Sequence, residues 1–233
     1  MKSVGILQPG KLGDIIICLP IAKYYHDYGY KVIWPIFSTY VEMFKEVIDY
    51  VDFIPVTDDV YQCFFEAKQK LQALNVKNIF DIAATFPGSN CTDEYVRLGD
   101  GHGEEKFDQF KYRKCNVPFC LKWSLSYKSN LQKEDELFNL KTGSEPYDIF
   151  STKHSRGNLN IKFESKNKLI EIDDKHNIFY WRKILENAKN IALVDSAMAN
   201  LVEQLNIKST KTLLLKPGHP RPVFKNNWRI IEV

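Results

Sequence analysis

Hydrophobic and polar positions follow two rhythms along this chain. Short runs dominated by apolar residues, Ser3–Leu7, Lys31–Ile36, Val51–Val56 and Asn78–Ala84, have strand length. Between them lie stretches with helical spacing: Asp14–Tyr28, Thr39–Val47 and Asp58–Leu74, the last with Val60, Phe64, Ala67 and Leu71 on one face. Pro20 resets or kinks the first helix. Strands alternating with helices predict a parallel sheet covered on both faces, whose ligands sit beyond the carboxyl ends of the strands.

From Phe86 to Gly143 the rhythm breaks, leaving an irregular packed segment with a short helix at Glu134–Leu140. It then restarts with strands at Tyr147–Ser151, Lys168–Ile172, Ile191–Val194, Lys211–Leu215 and Trp228–Val233. Asn177–Asn190 reads as a helix, and Asp195-Ser196 opens another that runs to Leu205. The expected organisation is an N-terminal α/β domain over 1–128, a linker over 129–145 and a C-terminal α/β domain over 146–233, with a cleft between the two Rossmann-like halves.

Composition narrows the classes. With 233 residues, 44% of them hydrophobic, the chain can bury a core and is not disordered. A net charge of +3 does not by itself call for nucleic acid. Between Gln204 and Ile231, however, six Lys or Arg occur without an acid, a field that would attract a phosphorylated ligand. The five cysteines are scattered, with no C-x-x-C pair, as expected of reduced thiols in a cytoplasmic protein. No signal peptide or membrane-spanning run is expected.

Two turns carry candidate chemistry. Gly10-Lys11-Leu12-Gly13-Asp14 joins the first strand to the first helix. Its glycines allow close approach of a ligand, and the helix start offers free N–H groups. Asp14 could take a proton from an attacking hydroxyl, or simply cap the helix. The P-loop and the dinucleotide fingerprint are both absent, since Gly10 and Gly13 give only G-x-x-G. The second turn is Asp195-Ser196, after a very short buried strand, where hydroxyl and N–H donors at a strand end could hold a diphosphate. Its alternative role is again an N-cap.

Together the two turns resemble the GT-B glycosyltransferases, specifically the heptosyltransferase-like group (ADP-heptose:LPS heptosyltransferases). That group places a Gly-Asp-[Ile/Val] turn before a proline-containing helix, matched here by Leu12-Gly13-Asp14-Ile15 and Pro20. Its Asp-[Ser/Thr]-Gly-x-x-His-Leu turn is matched by Asp195-Ser196-Ala197-Met198-Ala199-Asn200-Leu201, with Ala197 and Asn200 replacing glycine and histidine. The resemblance implies a trimmed GT-B fold and an inverting, metal-independent transfer from a nucleotide sugar to an acceptor hydroxyl, with no further cofactor. Asp14 would be the general base. Lys11, Gly13, Thr152, Lys153, His154, Arg156, Asp195, Ser196 and Asn200 would contact the donor, with Arg156 or Lys153 neutralising the leaving diphosphate.

Two other readings stay open. The Ala197 and Asn200 substitutions suit a catalytically silent nucleotide-sugar-binding module. Interleaved aromatic and basic residues, Phe107, Phe110, Lys111, Tyr112, Arg113, Phe119, Lys122 and Trp123, suit transfer to a modified nucleic-acid base. The acid-x-acid pattern at Glu171-Ile172-Asp173-Asp174 is expected to end a strand rather than to hold a metal.

Overall fold

The computed structural model describes residues 2–83, 86–91, 94, 105–154, 157–205, 207–216 and 221–233. It divides into two compact units: Met1–Lys128 with Pro220–Val223, and Ser129–His219 with Phe224–Val233.

Unit 1 is a Rossmann-like α/β layer. Its elements are β1 (Ser3–Leu7), α1 (Leu12–Asp27), β2 (Lys31–Phe37), α2 (Ser38–Lys45), β3 (Asp52–Val56), α3 (Cys63–Ala73), β4 (Asn78–Asp81) and α4 (Phe107–Lys114), followed by a 3-10 turn at Phe119–Trp123. The sheet runs β3-β2-β1-β4, all parallel, with Leu7 opposite Asp81 and Gly5 opposite Ile33. Helix α3 packs Phe64, Ala67 and Leu71 onto Leu7 and Ile33. It comes so close to β1 that a Cβ on Gly5 would sit 2.9 Å from a Leu71 methyl.

Helix α1 is continuous through Pro20, and Ile15–Ala22 are buried on every side. The reason lies in the segment expected to be irregular. Helix α4 and the 119–123 turn both contact α1 and cover its outer face. The Tyr112 hydroxyl donates to the Ile17 carbonyl at 3.0 Å, tying α4 to α1. The aromatic–basic stretch is therefore largely interior: Phe110, Lys111, Tyr112 and Lys122 are buried.

Beneath it lies a fully buried ion pair, Lys122 Nζ to Asp108 Oδ2 at 2.6 Å, both side chains 0% exposed. Residue 223 joins the pair, its N–H donating to Asp108 at 2.9 Å and its carbonyl accepting from Lys122 at 2.5 Å. The chain thus returns to unit 1 for one short stretch before finishing in unit 2.

Unit 2 contains α5 (Leu131–Lys141), β5 (Tyr147–Ser151), a small antiparallel ribbon of β6 (Lys153–His154) and β7 (Gly157–Asn158), and β8 (Lys168–Glu171). A 3-10 turn (Ile178–Trp181) then leads into α6 (Arg182–Asn187), followed by β9 (Asn190–Val194), α7 (Ala197–Leu205), β10 (Thr210–Leu215) and β11 (Trp228–Glu232). Its main sheet runs β11-β10-β9-β5-β8, all parallel. Buried Glu203 on α7 pins the last segment by accepting from the Lys225 N–H at 2.8 Å and the Trp228 indole at 2.7 Å.

Three expectations need correction. The helix expected at 177–190 is split, because Asn177 caps a tight turn of four bulky residues and Ala188 is already extended. The helix expected at Glu134–Leu140 begins earlier, at Leu131, because Asn130 caps it through the Lys133 N–H. The long amphipathic helix starts only at Cys63, since Asp59 holds the preceding turn through the Tyr61 N–H at 2.7 Å.

Candidate functional site

In a parallel sheet the carboxyl ends of neighbouring strands form a crevice where the strand order changes direction. In unit 1 that point lies between β1 and β4: β2 and β3 build to one side of β1, and β4 crosses to the other. The loop Gln8–Lys11 emerges there. Gly10 lies flat against Phe37, and a Cβ on it would be 2.3 Å from the ring, so any other residue would force the ring to shift. The Phe37 N–H donates to the Pro9 carbonyl at 2.8 Å, and the Trp34 indole to the Gln8 carbonyl at 3.0 Å. Lys11 is forced to φ 61°, a left-handed conformation unusual for a side-chain-bearing residue, and becomes the N-cap of α1 without a side-chain cap bond.

Asp14 sits in the first turn of α1 with 17% of its side chain exposed. Its Oδ1 lies 3.3 Å from the ammonium of Lys111, whose side chain is 4% exposed. Lys111 also donates to Gln8 Oε1 at 2.5 Å and to the Ile82 carbonyl at 2.8 Å. Gln8, itself buried, donates through Nε2 to the Gly10 carbonyl at 2.9 Å. The neighbouring Cys18 thiol is pushed up to about 12 by burial and stays neutral. One strand further, the Asp81 carboxylate receives Ser89 Oγ at 2.8 Å and the Asn90 N–H at 3.0 Å, shaping the loop after β4.

In unit 2 the order changes direction between β5 and β9. Two predicted groups, the residues after β5 and the turn after β9, flank that point. Ser196 ends β9's loop, and its Oγ accepts the Ala199 N–H at a long 3.4 Å. Asn200, 5% exposed, donates through Nδ2 to the Ser196 carbonyl at 3.0 Å. Asn200 Oδ1 is buried with no hydrogen-bond partner among the described residues. The Asp195 N–H donates to the Leu214 carbonyl at 3.3 Å, tying the turn to β10.

After β5, Thr152 accepts the Leu159 N–H at 3.0 Å, and Lys153 and His154 form one side of the small ribbon. The Lys153 ammonium lies 3.6 Å from Asp174, both well exposed, so an anion would compete with that carboxylate. Arg156 lies outside the described residues. Beyond β8, Asp173 is pushed upward by burial but more strongly downward by bonds from Lys141, His176 and the Lys175 N–H, which leave it at about 2. It thus ends its strand in a structural cluster.

In unit 1 the expected Lys11, Gly13 and Asp14 follow β1; in unit 2 Thr152, Lys153 and His154 follow β5, and Asp195, Ser196 and Asn200 follow its neighbour β9. Sequence reasoning missed Gln8 and Lys111. Gln8 carried a signal, as a polar residue ending an apolar strand beside the turn. Lys111 carried none, because its partners are distant in sequence.

No family model matches the sequence, and no curated protein does. Solved structures match over essentially the whole chain. The glycosyl transferase family 9 protein from Veillonella parvula DSM 2008 is similar over 100% of this chain and 86% of its own, with TM-score 0.63 and 10% identity. E. coli heptosyltransferase WaaC with ADP is similar over 100% and 93%, with TM-score 0.52 and 13% identity. E. coli ADP-heptose LPS heptosyltransferase II is similar over 99% and 90%, with TM-score 0.53 and 10% identity. At these identities the likeness establishes the fold: two Rossmann-like α/β units of the GT-B type, as the sequence resemblance implied.

Proposed function

We propose that this chain is a glycosyltransferase that moves a sugar from a nucleotide-sugar donor to an acceptor hydroxyl. The observation that carries the reading is a carboxylate, Asp14, fixed by a buried cation where unit 1's strand order reverses, on a rigid glycine turn. The fold shared with glycosyltransferases supports the same class.

In this reading the acceptor hydroxyl attacks the anomeric carbon and its proton passes to Asp14. The carbon–oxygen bond to the diphosphate breaks, and the nucleoside diphosphate leaves with the electron pair. A single displacement inverts the anomeric centre. The donor would rest on unit 2, its diphosphate at the Ser196 turn and the start of α7, where backbone N–H groups and the helix dipole favour negative charge. Lys153 and Arg156 would balance the leaving charge, so that transfer needs no metal.

The donor is sought by thermal stabilisation and donor-turnover assays across a panel of nucleotide sugars, with and without EDTA. ADP-sugars come first because WaaC was solved with ADP. Selective stabilisation with turnover, unaffected by EDTA, supports the reading. By linkage, a ligand at 100 times its Kd adds about 2.7 kcal/mol. Binding without turnover favours the silent module, which Asn200 Oδ1, buried and without a partner among the described residues, and the Lys153–Asp174 pair also suit.

A further inference from the structure

Lys111 belongs to neither turn motif, yet it is a buried, closely held cation beside the first turn. A buried ammonium loses several kcal/mol of hydration and persists only where its partners replace the water. Here the ammonium donates hydrogen bonds to Gln8 Oε1 and the Ile82 carbonyl and forms an ion pair, at 3.3 Å, with Asp14 Oδ1. Two of those partners are neutral. The charges around it leave Asp14 as its counter-ion: Asp108, three residues earlier on α4, is taken by Lys122, and the Cys18 thiol stays neutral. Through Gln8, the same ammonium also orients the amide that holds the Gly10 carbonyl, next to the left-handed Lys11.

We infer that Lys111 is the positioning residue for Asp14: it holds Oδ1, braces the Gly10 turn through Gln8, and so leaves Oδ2 to accept the proton of the attacking hydroxyl. Lys111 neither gives nor takes a proton. When Asp14 becomes neutral during the step, the ammonium keeps Gln8 and Ile82 as acceptors, so the turn does not collapse between cycles. This inference rests on the transferase reading above.

The test is steady-state kinetics, with a donor that the wild type turns over, on the wild type, Lys111→Met, Asp14→Asn and the double variant. Donor affinity and thermal unfolding are measured alongside. Expected is a kcat loss of about 10–100-fold in Lys111→Met, the size of coupling seen between contacting residues, with the donor KM within about twofold. The double variant should be no slower than Asp14→Asn, because Lys111 acts only through that carboxylate. A merely structural lysine would instead lower kcat by the same factor in both backgrounds. If Lys111→Met does not fold, Gln8→Met carries the test, with the same pattern and a smaller loss. Full kcat in the folded variant, or independent losses in the double variant, would overturn the inference and leave the transferase reading standing. A wild type that transfers from no donor would overturn the transferase reading and this inference with it.

Discussion

The two strand-end turns solve one problem differently. In unit 1 the turn is braced from far away: Lys111 reaches Gln8 across 103 positions and Ile82 across 29. Those contacts are buried and charged. In unit 2 Ser196 itself is braced locally, from Ala199 and Asn200 within the same helical turn, with only a backbone bond from Asp195 to Leu214 reaching a neighbouring strand, and one buried acceptor has no partner among the described residues. The nearby charges, Lys153 and Asp174, are well exposed. A turn held by a distant buried ion pair suits a group that must not move during bond making. A turn held locally, with an open acceptor, suits a surface that a ligand completes. Under the proposed function, this contrast suits chemistry at the first turn and binding at the second.

The sharpest way to break this contrast is Asp14→Asn. It should lower transfer by about 10²–10⁴-fold, the usual contribution of a general base, while titration shows donor affinity nearly unchanged. Equal losses of turnover and affinity would erase the division of labour. Next in size, Lys122→Met leaves Asp108 buried and unpaired. Chemical denaturation should then show a loss of about 3–5 kcal/mol in unit 1's transition.

A smaller effect is expected from unit 2's half-covered charges. Asp173 is held at about 2, below its ordinary 3.8, so its stabilisation is present at neutral pH and lost as pH falls from about 4 to 2. Asp173→Asn should therefore cost at most about 2 kcal/mol at pH 7, and denaturation at pH 2 should find variant and wild type nearly equal. A difference that persists at pH 2 would mean that packing, not charge, holds that cluster. Smallest is Ser196→Ala, for which calorimetric titration should show donor Kd rising several-fold, about 1 kcal/mol for one lost hydrogen bond, with kcat for bound donor unchanged.

Much of this was legible because strand and helix periodicity is a local property. The apolar runs at Ser3–Leu7 and Tyr147–Ser151 coincide with β1 and β5. Asp14 and Ser196 could be found because turn chemistry and helix starts leave a signature within a few residues. The remainder was decided by contacts between distant segments. No local feature separates Lys111 from the partly exposed Lys106 and Lys114 beside it, and α4's seat against α1 makes it interior. The same packing explains the aromatic–basic stretch, whose spacing resembled a stacking surface. Phe110 and Tyr112 are core residues, so that motive for a nucleic-acid acceptor falls away. The helix expected at 177–190 failed for a local reason that periodicity cannot see: consecutive bulky side chains fit a tight 3-10 turn, and the helix that follows ends at Asn187.

The return of the chain to Asp108 also has a consequence in time. The residue whose N–H completes that buried pair is 115 positions downstream. A ribosome adding roughly 5–20 residues per second needs on the order of ten seconds to deliver it. During synthesis Lys122 and Asp108 can meet early, but the two backbone bonds to their pair cannot form until most of the second unit's residues have been added. Those last two bonds to the pair are thus paced by translation.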